Sequence, residues 1–193
     1  MKHLFIINPA AGSHDRTKSY SRIIRQVCEE RGLDYDIAVS SAPGNCRELA
    51  HAAAETGEDY RIYACGGDGT LNEVVSGAMG YPNASVSVFS GGTGNDFTKI
   101  FSEPDAFRDL SRLLDADETE FDLISCNGDV CLNICSVGLD ARIAAEICKN
   151  GTQSTTSHRR DACTVPGRSS SMNGRTSASA WFIFQLPAIM TLR

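Results

Sequence analysis

The sequence predicts a layered α/β domain built on a parallel-rich sheet, followed by the start of a β-rich second unit. Three observations carry this. Strand-like segments near 2–8, 34–40, 61–65 and 86–89 alternate with helix-like segments near 17–31, 45–56, 70–79 and 105–114. Several of the helical segments carry an apolar stripe of helical period. Three of the strands run directly into glycine-bearing turns, the junction at which open parallel sheets gather their chemistry.

The first strand is the apolar run in His3-Leu-Phe-Ile-Ile-Asn-Pro-Ala-Ala-Gly-Ser13. Asn8 can hold the turn through its amide, Pro9 stops the strand, and Gly12 with Ser13 can offer main-chain and hydroxyl donors. Ile23, Ile24 and Val27 predict the buried face of the first helix, and Leu49, Ala50, Ala53 and Ala54 that of the second. The third strand ends in Tyr63-Ala-Cys-Gly-Gly-Asp-Gly-Thr-Leu-Asn-Glu73, where one carboxylate, Asp68, stands among three glycines before a helix. The fourth runs into Phe89-Ser-Gly-Gly-Thr-Gly-Asn-Asp-Phe97. Beyond it, Asp122 to Ser125 and Val130 to Ser136 read as strands joined through Asn127-Gly128, a hairpin signal.

Composition narrows the field. Up to residue 150 there are 13 Lys and Arg against 23 Asp and Glu, a balance of −10, so a general nucleic-acid surface is not expected. The eight cysteines are dispersed and several lie in apolar segments, which predicts reduced structural thiols rather than disulfides or a zinc site. No basic region leads into an apolar core and a small-residue cleavage site, so the expected location is the cytosol. From Gly151 onward 13 of 43 residues are Ser or Thr, and no sustained period appears before the apolar run Trp181 to Met190. That run is too short to span a bilayer and is interrupted by Gln185 and Pro187. An atypical, poorly ordered tail with an exposed apolar end is the expectation for 151–193.

The Gly66-Gly67-Asp68-Gly69 turn at a helix N-terminus suits phosphate, because helix-start N–H groups lack partners and small residues let an anion reach the main chain. Asp68 would repel that phosphate unless it binds a metal, takes a proton or orients another group. An isolated Gly-Asp-Gly is more often a helix-capping turn. His14 and His51 have no organised partner in the sequence, and Ser90 lacks the flanking pattern of a nucleophile elbow.

Asn8-Pro9 with Gly12, Gly66-Gly67-Asp68-Gly69-Thr70 with Asn72-Glu73, and Gly92-Thr93-Gly94-Asn95-Asp96-Phe97 together resemble the diacylglycerol kinase catalytic family in order and spacing. Asn133-Ile-Cys-Ser-Val-Gly-Leu-Asp140-Ala141 is similar to the segment that enters that family's second, β-rich domain, so the resemblance covers about residues 1–150. The Gly-Gly-Asp-Gly element alone also resembles NAD kinases. The resemblance implies a nucleotide-binding domain of the NAD kinase/diacylglycerol kinase type over 1–121, the start of a lipid-binding domain over 122–150, and the tail beyond.

It further implies transfer of the γ-phosphoryl group of ATP, with Mg2+, to a lipid hydroxyl, diacylglycerol first, giving phosphatidic acid. The implied nucleotide cradle is Asn8, Gly12, Ser13, Gly66, Gly67, Gly69, Thr70, Glu73, Gly92, Thr93, Gly94 and Asn95. Asp68 is the candidate catalytic and metal-linked residue, and Asp96 and Asp140 the candidates for substrate binding. Asn95 and Asp96 can equally cap their own turn, and Asp140 can cap a helix beginning near Ala141. The implied partners are nucleotide, lipid and, transiently, a membrane surface, with assembly open, a homodimer included. Two alternatives stand beside this: an NAD-kinase-like phosphotransferase, and an inactive or regulatory nucleotide-binding fragment, since family members continue beyond residue 150 through a full second domain.

Overall fold

A computed structural model describes residues 1–91, 95–126, 129–132, 142–143 and 189–192. Four parallel strands form the centre: β1 (Lys2–Ile7), β2 (Tyr35–Val39), β3 (Tyr60–Gly66) and β4 (Ala84–Ser90), in the order β2-β1-β3-β4. They alternate with α1 (Thr17–Arg31), α2 (Asn45–Glu55) and α3 (Asp68–Ala78). The chain steps from β1 outward to β2, returns across β1 to β3, and continues to β4. With right-handed crossovers this puts α1 on one face of the sheet and the packed pair α2 and α3 on the other. The direction of winding reverses between β1 and β3, and that reversal opens a crevice at their carboxyl ends.

β1, β3 and β4 are buried on both faces, as central parallel strands are, with Phe5, Ile6, Ile7, Ile62, Tyr63, Ala64, Cys65 and Val86 all inaccessible. The helix stripes differ in detail from the predicted ones. α1 buries Tyr20, Ile24 and Cys28, while Ile23 stays 39% exposed. Spacings of four keep those three residues in one row, and Ile23 lies a full 100° away. α2 buries Cys46, Ala50 and Ala54, with Leu49 and Ala53 partly covered. The small side chains of α2 admit α3 so closely that a Cβ on Gly77 would stand 2.2 Å from the Arg47 carbonyl oxygen.

The helix predicted near 105–114 is two pieces, a 3₁₀ turn Pro104–Arg108 and α4 (Leu110–Leu114). Asp109 divides them, because its carboxylate accepts the Ser111 and Arg112 N–H groups at 3.0 and 3.4 Å and so starts a new helix. Arg31 at the end of α1 grips Asp115 through both nitrogens, at 2.6 and 3.0 Å, and joins α1 to α4.

β5 (Glu118–Phe121), unforeseen from the sequence, forms the outer edge of the sheet, where Glu118 is fixed by Arg61 and Ser85, each at 3.1 Å. β6 (Ile124–Cys126) and β7 (Asp129–Cys131) pair antiparallel in a separate two-stranded sheet, shorter than the predicted strands. Their predicted Asn127-Gly128 turn and the segment 133–136 lie outside the described residues.

Of residues 151–193, those described are 189–192. β8 (Ile189–Leu192) lies between β4 and β5, antiparallel to the former and parallel to the latter. Among the described residues its main chain pairs with β4 at Ser85 and Val86 and so covers part of that edge.

Candidate active site

The first two glycine turns leave the sheet at the winding reversal. Asn8 does three jobs there. Its N–H bonds the Cys65 carbonyl at 3.2 Å, continuing the β1–β3 ladder; its Oδ1 accepts the Ala10 N–H at 3.0 Å; and its Nδ2 donates to Thr70 Oγ1 at 3.1 Å. Pro9 and the left-handed Gly12 (φ 86°) then carry the turn outward, leaving Ser13 exposed at its rim. The bond from Asn8 to Thr70 joins the first turn to the second.

In the second turn Gly66 has no room for a side chain, since a Cβ would meet Thr70 Oγ1 at 2.4 Å. Thr70 is 3% exposed and fills that space, so its hydroxyl is fixed between Asn8 and the end of β3. Gly67 precedes α3, which starts two residues earlier than predicted, at Asp68. Among the described residues nothing lies within 4 Å of where a Cβ on Gly69 would be, in the first turn of α3 whose N–H groups lack helix partners.

Asp68 closes the connection to the third turn. Its Oδ2 accepts the Asp96 N–H at 2.9 Å and its Oδ1 the Phe97 N–H at 3.0 Å, so it caps the 3₁₀ helix Phe97–Ile100 across 29 residues of sequence. Asn95, left-handed at φ 41° and buried, places its Oδ1 3.7 Å from where a Gly67 Cβ would be. Phe97 anchors the segment among Phe101 and Phe121, a packing role. Through these bonds all three junctions meet at one end of the sheet.

The structure therefore brings together Asn8, Gly66, Gly67, Asp68, Thr70, Asn95 and Asp96, with Gly69 beside them. It gives two expected site residues other partners. Glu73 Oε1 accepts the N–H of Gly44, at the start of α2, at 3.2 Å, so it braces α2 against α3. The Asp96 carboxylate is held by Lys99 at 2.6 Å. Asn72 reaches the second sheet, accepting the Leu132 N–H at 3.3 Å. Gly92, Thr93, Gly94 and Asp140 lie outside the described residues.

Sequence reasoning passed over Tyr20 and Arg16. Tyr20 donates its hydroxyl to the Phe89 carbonyl at 3.2 Å, and an Arg16 nitrogen lies 3.1 Å from where a Gly91 Cβ would be. The available signal was a phenol inside an apolar helical row, because a buried tyrosine hydroxyl requires a partner.

Neither Cys28 nor Cys65 supplies a nucleophile here. Burial pushes Cys28 up to about 11 and Cys65 well above the ordinary thiol range, so both stay protonated. Among the described residues no three His, Cys, Asp or Glu side chains gather as a metal cage. Mg2+ suits such a place when phosphate oxygens and waters complete its shell around one carboxylate. Among the described residues Asp68, the carboxylate at the start of α3, is the one whose chemistry fits that part.

The family model for the diacylglycerol kinase catalytic domain matches residues 2–126. The chain belongs to the diacylglycerol kinase catalytic domain family. Within this family it is 29% identical over 136 residues to a Bacillus subtilis diacylglycerol kinase, covering 69% of this chain and 44% of that protein. A Staphylococcus epidermidis relative, named as a candidate lipid kinase, is 28% identical over the same length and with the same coverage. A diacylglycerol kinase crystal structure from Bacillus anthracis superposes with a TM-score of 0.56 at 25% identity, covering 75% of this chain and 50% of that one. The chain thus spans about half the length of the relatives it matches. Among the described residues no helix is long and apolar enough to cross a membrane.

Proposed function

We propose that this chain is the nucleotide-binding part of an ATP-dependent lipid kinase, with diacylglycerol as acceptor and phosphatidic acid as product. The observation that carries the reading is the joining of the three glycine turns at the β1/β3 reversal, through Asn8 to Thr70 and through Asp68 to Asp96 and Phe97. Family membership supports the kinase class.

In this reading the N–H groups of the first turn and of the α3 start receive phosphate oxygens, with Thr70 and Asn8 setting the distance between them. Gly92, Thr93 and Gly94 complete the cradle by family resemblance, and Asp140 and Asp96 serve the acceptor side. Mg2+, when bound, neutralises charge on the phosphates. The acceptor hydroxyl oxygen attacks the γ-phosphorus, the bond to the β–γ bridging oxygen breaks, and ADP leaves in line. In this reading Asp68 takes the acceptor proton on its carboxylate. Access to a lipid acceptor implies transient contact at a membrane surface from the cytoplasm. Residues 1–121 form the nucleotide domain, and the lipid domain begins at 122.

A second reading is nucleotide binding without turnover. One experiment separates the readings. The purified chain is given ATP and Mg2+, with diacylglycerol micelles or NAD, while product and ATP affinity are measured. Phosphatidic acid formation that fails in Asp68→Asn supports the proposal. Affinity without product assigns binding alone, NAD phosphate assigns the other kinase class, and no affinity for Mg-ATP in folded protein ends the nucleotide reading.

A further inference from the structure

Asn72 stands one turn of α3 beyond Asp68, so the two side chains lie on one face of that helix. Each accepts main-chain N–H groups from a distant segment. Asp68 takes those of Asp96 and Phe97, and Asn72 Oδ1 takes that of Leu132, the residue after β7, at 3.3 Å across 60 positions of sequence. β7 packs against α3; its Val130 is buried, and Leu132 lies against the same core. The second sheet has a further tie to this helix through aromatic packing. Phe97, whose N–H Asp68 holds, makes a tilted ring contact of 5.6 Å between centroids with Phe121, at the end of β5 and shortly before β6 begins at Ile124.

Local preference does not explain an asparagine at this position. Inside a helix its amide competes with the backbone, and it is a weaker helix former than alanine. A residue that costs α3 some helicity while offering its amide oxygen to another element serves the tertiary fold. We infer that Asn72 is a positioning residue that seats the second sheet on α3, so that order at the helix start, where Asp68 stands, and order at the end of β7 are coupled. This rests on the function proposed above, in which the start of α3 receives phosphate and the segment from 122 serves the acceptor, and it adds the bond that fixes one against the other. Phosphoryl transfer needs the acceptor oxygen held about 3–3.5 Å from the γ-phosphorus. A sheet fastened to the helix that bears the phosphate site is held to that site through α3 itself.

The test compares wild type, Asn72→Ala and Asn72→Asp in the purified chain. Alanine removes the acceptor oxygen while suiting the helix, so lost anchoring is not the result of a weakened α3. Aspartate keeps an oxygen for the Leu132 N–H. Three quantities are measured: hydrogen exchange of the Leu132 amide by NMR with and without saturating Mg-ATP, Mg-ATP affinity by calorimetry, and the thermal midpoint. In the free protein Asn72→Ala is expected to speed Leu132 exchange about tenfold, and Asn72→Asp to stay within about twofold of wild type. Saturating Mg-ATP is expected to slow that amide about threefold in wild type and in Asn72→Asp, and to leave it unchanged in Asn72→Ala. A side chain that only added to stability would move the midpoint without this dependence on nucleotide.

Unchanged Leu132 exchange in free Asn72→Ala overturns the inference. So does Mg-ATP that binds wild type yet leaves the Leu132 amide untouched, or that still slows it in Asn72→Ala. Mg-ATP affinity lost in both variants, with Leu132 exchange as in wild type, overturns it in favour of Asn72 as a direct nucleotide contact. Should wild type bind no Mg-ATP, the nucleotide reading fails, and exchange in the free protein still decides whether Asn72 seats the end of β7.

Discussion

Asp68 and Phe97 are joined by a bond from main-chain N–H to carboxylate of 3.0 Å, made by the one acidic side chain of the Gly-Gly-Asp-Gly turn to the start of a 3₁₀ helix in a different junction. The second oxygen makes the matching bond to Asp96 at 2.9 Å. A residue that reads in sequence as a chemical group is thus also a structural clamp, and the two roles predict different mutant behaviour.

Asp68→Asn keeps the shape and one acceptor but turns an NH2 group toward a main-chain donor. Loss of a charged hydrogen bond predicts destabilisation of about 1.5–3 kcal/mol, measured by urea unfolding, together with weaker Mg-ATP binding. Wild-type stability and affinity in a variant that has lost turnover would assign Asp68 to the chemical step alone.

Two glycines of the same turn are expected to respond oppositely. Gly66→Ala forces a methyl toward Thr70 Oγ1, 2.4 Å away, and overpacking of this kind costs about 1–3 kcal/mol. Gly69→Ala meets none of the described residues within 4 Å and lies in the first turn of α3, where alanine is favoured over glycine by about 0.5–1 kcal/mol. Denaturation curves should therefore show Gly66→Ala weakened and Gly69→Ala unharmed, while calorimetry with Mg-ATP shows lost affinity in Gly69→Ala. Retained affinity there would remove Gly69 from the cradle.

Gly77→Ala tests the α2–α3 contact that carries the second turn. The obstructing atom is a main-chain oxygen at 2.2 Å, which cannot swing aside, so the helices must separate. A loss of about 1–3 kcal/mol is expected from overpacking. A melting curve equal to wild type would show that the helices part without cost.

His3 gives the fold a pH dependence. It is 5% exposed, its Nδ1 lies 3.2 Å from the Tyr63 hydroxyl, and burial, followed by Arg61 and the N-terminal amine, lowers its pKa. Below about 6.5, the ordinary histidine value, the unfolded chain takes up a proton that the folded chain resists. The contribution of His3 is therefore present above that pH and is lost as pH falls toward the lowered folded value. The difference in unfolding free energy between wild type and His3→Phe, followed from pH 8 to 5, should narrow on acidification. A constant difference would show that His3 titrates alike in both states.

Much of the fold was legible because its signals are local. The four central strands and three long helices followed from apolar runs, period and turn residues, all properties of neighbouring positions. The failures were places where a distant partner decided the outcome. Glu118–Phe121 alternates exposed and half-buried residues and reads as a strand only once Arg61 and Ser85 hold Glu118. α1 buries the row Tyr20, Ile24 and Cys28 and leaves Ile23 out, because the buried face is set by how the whole helix docks on the sheet.

For the candidate site the division is similar. By itself the sequence determined which residue types stand at the strand ends, since glycine, asparagine and aspartate each shape their own turn. Only the tertiary structure decided what each side chain serves: Glu73 the start of α2, Thr70 the space above Gly66, Asp68 the amides of Asp96 and Phe97. The physical reason is that a hydrogen bond acts over about 3 Å, and which groups come within that reach is set by how the sheet winds.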